Sequence, residues 1–126
     1  MRTPAPPPPN SVRLRAKREI DRVFQQGKYL RLGMLQAKFL VSGAPHSRFM
    51  ISVRKSVGNA PQRNRFKRVV REAIRLNREQ LEIPHDICLF LTHRPEQQVR
   101  LSIVEEEIQK LFANLNQAAR PGTGNG

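Results

Sequence analysis

The sequence predicts an α+β fold, a small sandwich in which helices pack against a β-sheet. Three stretches indicate this class. Apolar residues recur at helical spacing within residues 63–75. Along Arg48–Val53, by contrast, Phe49, Ile51 and Val53 alternate with Met50 and Ser52, as in a half-buried strand. Residues 86–92 hold a continuous apolar run of strand length, which is typical of a central strand covered on both faces. Helices and strands are therefore expected to share one small core.

The first predicted element is a helix over Lys17–Gln26, which has one apolar face and is followed by a glycine as its stop. Two strands are expected next, over residues 34–41 and Arg48–Val53. The Ser-Gly-Ala-Pro sequence between them is typical of a turn. This part of the chain is thus predicted to form one helix and two strands.

A Gly-Asn-Ala-Pro sequence then begins a second helix, because Asn59 suits the N-cap position and Pro61 suits the first turn. We expect this helix to run to about Gln80. The strand over residues 86–92 and a final helix over residues 101–115 follow. The predicted order is helix, strands, helix, strand, helix.

The length of 126 residues suits one domain with a modest core. Residues 1–12 contain a run of prolines, which form neither a helix nor a sheet ladder, and we interpret them as a disordered arm. Residues 13–116 are expected to form the single domain. Residues 117–126 lack an apolar pattern and are expected to be a disordered tail.

The charge of the chain favours a polyanionic partner. Lys and Arg total 23 against 10 acids, a formal net charge of +13, which attracts phosphate-bearing molecules. An anionic membrane surface competes with nucleic acid as the partner, but no apolar run approaches the roughly 20 residues of a spanning helix. The proline-rich start lacks the apolar stretch of a signal peptide, so a cytoplasmic protein is expected. The single cysteine, Cys88, lies in an apolar run and is expected to be a buried structural thiol.

The second helix concentrates this charge. Residues 63–75 carry six Lys or Arg and one acid, Glu72. At about 100° per residue the apolar positions span roughly 140°, and most basic residues lie outside that arc. Without acids to pair with, like charges on one face repel, so an external anion would stabilise it. A solvated surface, a membrane and a calmodulin-like partner remain alternatives, but the excess of Arg over Lys favours bidentate phosphate contacts.

The loop before this helix has anion-binding chemistry as well. Arg54 and Lys55 lie at a strand end, Gly58 is able to take an unusual backbone angle, and Asn59 offers amide donors and an acceptor. Backbone N–H groups at the helix start add to such a corner. A turn that only has to be tight explains the same residues equally well.

At this point a resemblance identifies the motif. Lys-Ser-Val-Gly-Asn-Ala at residues 55–60, then Arg-Asn-Arg-Phe-Lys-Arg at residues 63–68 and Arg71-Glu72, resemble the signature of the bacterial ribonuclease P protein subunit. Residues 15–27 resemble the opening helix of that family. The match covers about residues 13–115, and the Arg-Asn-Arg element is far more specific than a basic helix in general.

The resemblance implies an α-β sandwich with a four-stranded sheet and a left-handed β-α-β crossover, although such connections are right-handed in about 98% of cases. It also implies a subunit that binds the catalytic RNA of ribonuclease P and assists removal of the 5′ leader from precursor tRNA. Hydrolysis would be carried by that RNA with Mg²⁺, with no catalytic residue or metal site in the protein. The residues that would contact the catalytic RNA are Arg63, Asn64, Arg65, Lys67, Arg68 and Arg71.

The same resemblance implies that a cleft between the first helix and the sheet holds the single-stranded leader. Phe24 matches an aromatic position of the family motif, whereas Ile20 stands where a Phe is common and offers apolar contact only. Core packing explains Phe24 equally well, so both roles stay open. The polar residues predicted to line or charge this cleft are Lys17, Arg18, Arg22, Arg54, Lys55 and Asn59.

The remaining titratable residues predict no metal chemistry. The three histidines are scattered without metal-ligand spacing, and Glu105, Glu106 and Glu107 are expected to fan around the surface of the last helix. A protein-only nuclease would need converging carboxylates. The competing hypothesis is a ribosomal or other nucleic-acid-binding module without a role in tRNA processing. A helix-turn-helix reader is disfavoured, because a strand and a Gly-Asn loop precede the basic helix.

Overall fold

The computed structural model describes residues 13–95 and 98–119. These residues form three α-helices and four strands in the predicted order. The elements are α1 (Lys17–Gln26), β1 (Lys28–Arg31), β2 (Gln36–Val41), β3 (Arg48–Val53), α2 (Ala60–Asn77), β4 (His85–Leu91) and α3 (Leu101–Ala119). The α+β class is thereby confirmed.

Several elements differ from the predictions: β2 begins two residues later than predicted, and β4 begins and ends one residue earlier. β1 has four residues and no burial alternation, so no sequence pattern indicated it. A 3₁₀ turn over Arg78–Gln80 follows α2 and accounts for the predicted end at Gln80. α3 continues to Ala119 and so includes the start of the predicted tail. The predicted proline-rich arm and the rest of that tail lie outside the described residues.

β4 lies inside a four-stranded sheet of order β1-β2-β4-β3. It pairs antiparallel with β2 and parallel with β3, while β1 pairs antiparallel with β2. Six of its seven residues are buried, because helices cover both faces of the sheet. The continuous apolar run in the sequence therefore marks the central strand, as predicted.

The β3-α2-β4 connection is left-handed, as the directions of the Phe49 side chain and carbonyl show. Its side chain packs in the same core as α2 and α3, whereas its carbonyl accepts a 2.8 Å hydrogen bond from Leu14 N–H at the edge away from β4. Consider a strand of L-residues viewed with its C-terminal end at the top. A residue whose side chain faces the viewer then directs its carbonyl to the right. With α2 in front, β4 therefore lies to the left of β3, the rarer arrangement.

The sheet separates two apolar layers. The larger layer lies between the sheet and the α2–α3 pair and contains Phe66, Val70 and Phe112, together with Ile87, Leu89 and Leu91 of β4. The smaller layer lies under α1, where Leu14, Val23 and Cys88 are buried together. The two helices whose sequences suggested binding, α1 and α2, therefore lie on opposite faces of one sheet.

Glu107 corrects the expectation that the three glutamates of α3 fan around the surface. It is 8% exposed, and its carboxylate accepts hydrogen bonds from the backbone N–H groups of Gly33, Met34 and Leu35 at 2.9 to 3.2 Å. These donors lie in the turn between β1 and β2 and would otherwise lack partners within the sheet ladder. The acid thus ties the edge of the sheet to α3.

Candidate nucleic-acid interface

Asn59 sets the start of the basic helix. Its Oδ1 accepts a 2.9 Å hydrogen bond from Gln62 N–H, while Gln62 Oε1 accepts one of 2.9 Å from Asn59 N–H. This reciprocal pair is a capping box, which satisfies two backbone donors at the first turn. Asn59, predicted to serve the leader cleft, therefore has its side-chain oxygen engaged in fixing α2.

Gly58 is required for a different reason from the one expected. Its backbone is extended (φ 169°), a conformation open to any residue, so no unusual angle explains it. A Cβ atom at this position would instead collide with the side chain of Gln62. The glycine therefore leaves room for the capping box, and the tight turn and the helix start form one unit.

The six residues predicted to contact the catalytic RNA do not share one face of α2. Arg63, Lys67 and Arg71 follow one another at four-residue steps along one flank of the buried stripe, with Asn64 and Arg68 beside them. Arg65 lies about 120° round the helix from Arg71, on the other flank. There it lines an open groove together with Arg94. The basic surface therefore wraps over the helix from one flank to the other.

Arg13 extends this surface beyond the residues that the sequence singled out. It forms an isolated parallel bridge with Phe49 at the outer edge of β3, next to α2. Partial burial of its guanidinium end lowers the pKa of Arg71, and the positive charge of Arg13 lowers that pKa further. The two charges are therefore near enough to repel each other, and a phosphate bound by both would reduce that repulsion.

The acid on α2 does not neutralise this surface. Glu72 binds Arg75, with Arg75 Nη2 at 2.6 Å and Nε at 3.1 Å from the carboxylate oxygens. Among the described residues, none of the five predicted cations on α2 forms an ion pair with a carboxylate. Their positive charge is thus available to a partner.

A second candidate surface lies on the opposite face of the sheet, beside α1. The Phe24 ring centroid is 6.1 Å from that of Phe90 on β4, and the Tyr29 centroid is 6.4 Å from Phe90. Phe24 is 40% exposed and Tyr29 50% exposed, so solvent reaches both side chains. Of the two roles left open for Phe24, the structure disfavours core packing.

Polar groups frame this aromatic cluster of Phe24, Tyr29 and Phe90. Lys38 Nζ lies 6.0 Å from the Phe24 ring centroid and donates a 3.2 Å hydrogen bond to the Phe24 carbonyl. The Tyr29 hydroxyl donates to Gln36 Oε1 at 3.0 Å. Tyr29, Lys38 and Phe90 were missed from the sequence, because the unpredicted strand β1 carries Tyr29 and the face of each strand depends on register.

The predicted cleft residues fall into two groups. Lys17 lies about 20° from Phe24 round α1, so it belongs to the same flank, and Ile20 is half-buried beneath it against the smaller core layer. Arg18 and Arg22 lie about 120° and 160° from Phe24, on the outer side of α1.

Arg54 N–H donates to Leu91 O, which continues the β3 register and directs the Arg54 side chain to the α1 face. Lys55, in the 3₁₀ turn that follows, is exposed.

Cys88 does not supply chemistry to either surface. It is fully buried, and this burial together with the negative charge of Asp86 raises the pKa of its thiol to about 12. The expected buried structural thiol is therefore confirmed.

Within residues 13–95 and 98–119, no group of three or more His, Cys, Asp or Glu side chains is arranged to hold a metal ion. No helix in the same part of the chain is long and apolar enough to cross a bilayer.

Comparison with known sequences points to one family. The model of the Ribonuclease P family matches residues 9–116. A ribonuclease P protein component from Dictyoglomus turgidum is 33% identical over 92 residues, which is 73% of this chain and 76% of that protein. The component from Syntrophobacter fumaroxidans is 33% identical over 95 residues, 75% of this chain and 80% of that protein.

Solved structures agree with the sequence comparison. The RNase P protein from Thermotoga maritima is 30% identical and superposes with a TM-score of 0.71, covering 81% of this chain and 96% of that one. The RNase P protein of Staphylococcus aureus, at 20% identity, has a TM-score of 0.70 over 82% of this chain and 94% of its own, which shows the shared fold.

Proposed function

This chain belongs to the ribonuclease P protein family, and on that premise we propose how its two surfaces divide the binding of two RNAs. As a member of the family it works with the ribonuclease P RNA and binds precursor tRNA, and the complex removes the 5′ leader. The α2 surface binds the catalytic RNA. The aromatic cluster on the other face binds the leader.

The unneutralised cations of α2 support the first assignment. Arg63, Lys67, Arg68 and Arg71, together with Arg13, form a ridge of positive charge on a helix that the capping box and core hold rigid. Guanidinium groups bind phosphates bidentately, and each neutralised phosphate releases counterions. Binding to the catalytic RNA should therefore weaken steeply as the salt concentration rises.

The open aromatic faces beside α1 support the second assignment. Single-stranded RNA is bound by stacking bases on aromatic rings within a positive groove. Phe24 and Tyr29 offer such rings, Lys38 lies beside Phe24, and Lys17 and Arg54 add positive charge on the same side of the sheet. Because the sheet separates this cleft from α2, the protein holds the leader on one face and the catalytic RNA on the other.

We propose that the RNA subunit carries out the hydrolysis with Mg²⁺, which would supply charge neutralisation and an activated water. Four carboxylates of the described residues are engaged within the protein. Glu107 accepts three backbone N–H bonds, Asp86 and Glu19 pair with Arg48, and Glu72 pairs with Arg75. The protein thus contributes groups that bind RNA, and the catalytic groups belong to the RNA subunit. It acts in the cytoplasm, where precursor tRNA is made.

The deciding experiment mixes the purified protein with the ribonuclease P RNA of the same bacterium at low Mg²⁺ and measures 5′-matured tRNA. Cations on the protein should replace part of the Mg²⁺ that screens the RNA backbone, so we expect the protein to raise the rate well above that of RNA alone. An unchanged rate would contradict the proposal. The alternative of a ribosomal or other nucleic-acid-binding module is not favoured by the family assignment.

A further inference from the structure

A groove lies on the flank of α2 away from Arg71, at the end of the basic surface that Arg65 forms. It has a volume of about 420 Å³, within the range of small-ligand pockets. Its floor is apolar and is formed by Val57, Phe66 and Val99. Arg65 on α2 and Arg94 after β4 stand at its rim.

We infer that this groove receives the base of one unpaired nucleotide of the catalytic RNA. The combination of an apolar floor with guanidinium groups at the rim matches the two halves of a nucleotide. The flat, weakly polar base would lie in the groove over its apolar side chains, and the flanking phosphates would meet Arg65 and Arg94. The charged side chains among the described residues that line the groove are both guanidinium groups, which attract a phosphate.

Amide side chains make the groove suited to a base rather than to a simple apolar ligand. Gln62 and Gln98 both line it. Gln62 Oε1 is held by Asn59 N–H in the capping box, which fixes the direction of its amide group. A fixed amide beside an apolar floor offers hydrogen bonds to the edge of an unpaired base, as RNA-binding proteins commonly do.

The assignment to the catalytic RNA rests on the proposed function, since the groove and the basic ridge belong to the same helix. Arg65 precedes Arg68 by three residues and lies about 60° from it round α2, so an RNA that covers the ridge at Arg68 is next to the groove. The leader cleft lies beyond the sheet from this groove. The unpaired base therefore belongs to the RNA bound by α2.

Base-specific chemical probing of the catalytic RNA in the assembled holoenzyme tests the inference. Gln98→Trp fills the groove from an exposed position, and Arg94→Gln removes one of its charges. Arg100→Gln is the matched control, because Arg100 is exposed nearby and does not line the groove. We expect one unpaired nucleotide to be protected by the wild type and the control, and to become reactive with both groove variants.

Removing that base from the RNA completes the test. The loss of one base from an apolar site should weaken wild-type binding by roughly tenfold, and it should not weaken Gln98→Trp further. If no nucleotide becomes selectively reactive, or if the abasic RNA weakens both proteins equally, the inference is wrong. Arg68→Ala combined with Arg71→Ala separates the two proposals. Wild-type affinity of that double variant for the catalytic RNA would refute the α2 surface itself. Weakened affinity of the double variant, together with unchanged nucleotide reactivity in the groove variants, would refute the groove alone.

Discussion

The rings of Phe24 and Phe90 lie 6.1 Å apart between centroids, and they join α1 to the central strand at the open side of the sheet. The interplanar angle of 37° leaves the ring faces splayed rather than stacked on each other. Phe24 remains 40% exposed in this contact. The pair therefore forms a shelf on which an incoming base can stack without displacing a core residue.

Phe24→Ala should selectively weaken binding of precursor tRNAs that carry a leader. Stacking contributes about 1–3 kcal/mol per base, so we expect roughly a tenfold loss of affinity. Affinity for leaderless tRNA should not change. The measurement is equilibrium binding of the two RNAs to the assembled holoenzyme.

Val41→Ala is the matched control for that experiment, because Val41 is 50% exposed on β2, outside the aromatic cluster. It should alter neither affinity. Equal losses with leader and without it in the Phe24 variant would refute the leader contact.

Arg65→Ala combined with Arg68→Ala should weaken assembly with the catalytic RNA. Each lost phosphate contact reduces the slope of log K against log salt by roughly 0.7–0.9, so the slope should fall by nearly two. Binding titrations at several salt concentrations measure it. Arg100→Ala with Lys110→Ala removes the same charge from exposed positions off α2, and should leave most of the slope in place. A double variant on α2 with the wild-type slope would contradict the assignment.

Arg13→Gln should reduce affinity for the catalytic RNA about as much as Arg71→Gln does. Because Arg13 is near enough to repel the charge of Arg71, we expect one phosphate to bind both guanidinium groups. The double variant should then lose less than the sum of the two single losses, which a double-mutant cycle of binding free energies measures. Lys110→Gln is the charge control. Strict additivity of the Arg13 and Arg71 losses would show that they serve separate phosphates.

Arg13 and Tyr29 illustrate what the sequence does and does not predict about this site. The α2 stripe and the β4 run are periodic over many residues, so both elements and the basic helix could be predicted. Arg13 approaches Arg71 only through a bridge to Phe49, a long-range contact without a local signature. Tyr29 reaches Phe90 because β1 pairs with β2 in one register, and a four-residue strand carries too little pattern to reveal that.

Glu107 shows the same limit for the core. Three adjacent glutamates on a helix predict a solvated surface, and only the tertiary position of the β1–β2 turn makes one of them a buried acceptor. The family resemblance supplied the left-handed crossover, which no local pattern encodes, and the carbonyl direction of Phe49 confirms it.

Glu107→Gln should destabilise the protein by about 1–3 kcal/mol, because an amide NH₂ replaces an oxygen and leaves one backbone N–H without an acceptor. Glu107→Ala removes both oxygens and should cost about 3 kcal/mol or more. Urea unfolding measures both changes. Glu106→Gln, on the exposed side of the same helix, should stay within about 0.5 kcal/mol of the wild type. A neutral Glu107→Ala variant would show that the turn finds other partners.

The stability of the wild type should fall above pH 9 by a contribution that a Cys88→Ala variant lacks. Burial raises the thiol pKa to about 12 in the folded protein, whereas an unfolded cysteine ionises near pH 8.5. The folded state therefore keeps the proton that the unfolded state releases, and stability present below pH 8.5 is lost as the pH rises toward 12. The loss approaches about 1.4 kcal/mol per pH unit above the unfolded pKa. Urea unfolding of both proteins at pH 7, 8.5 and 10 measures the difference between them. Parallel declines of the two proteins would show that the Cys88 thiol ionises equally easily when folded.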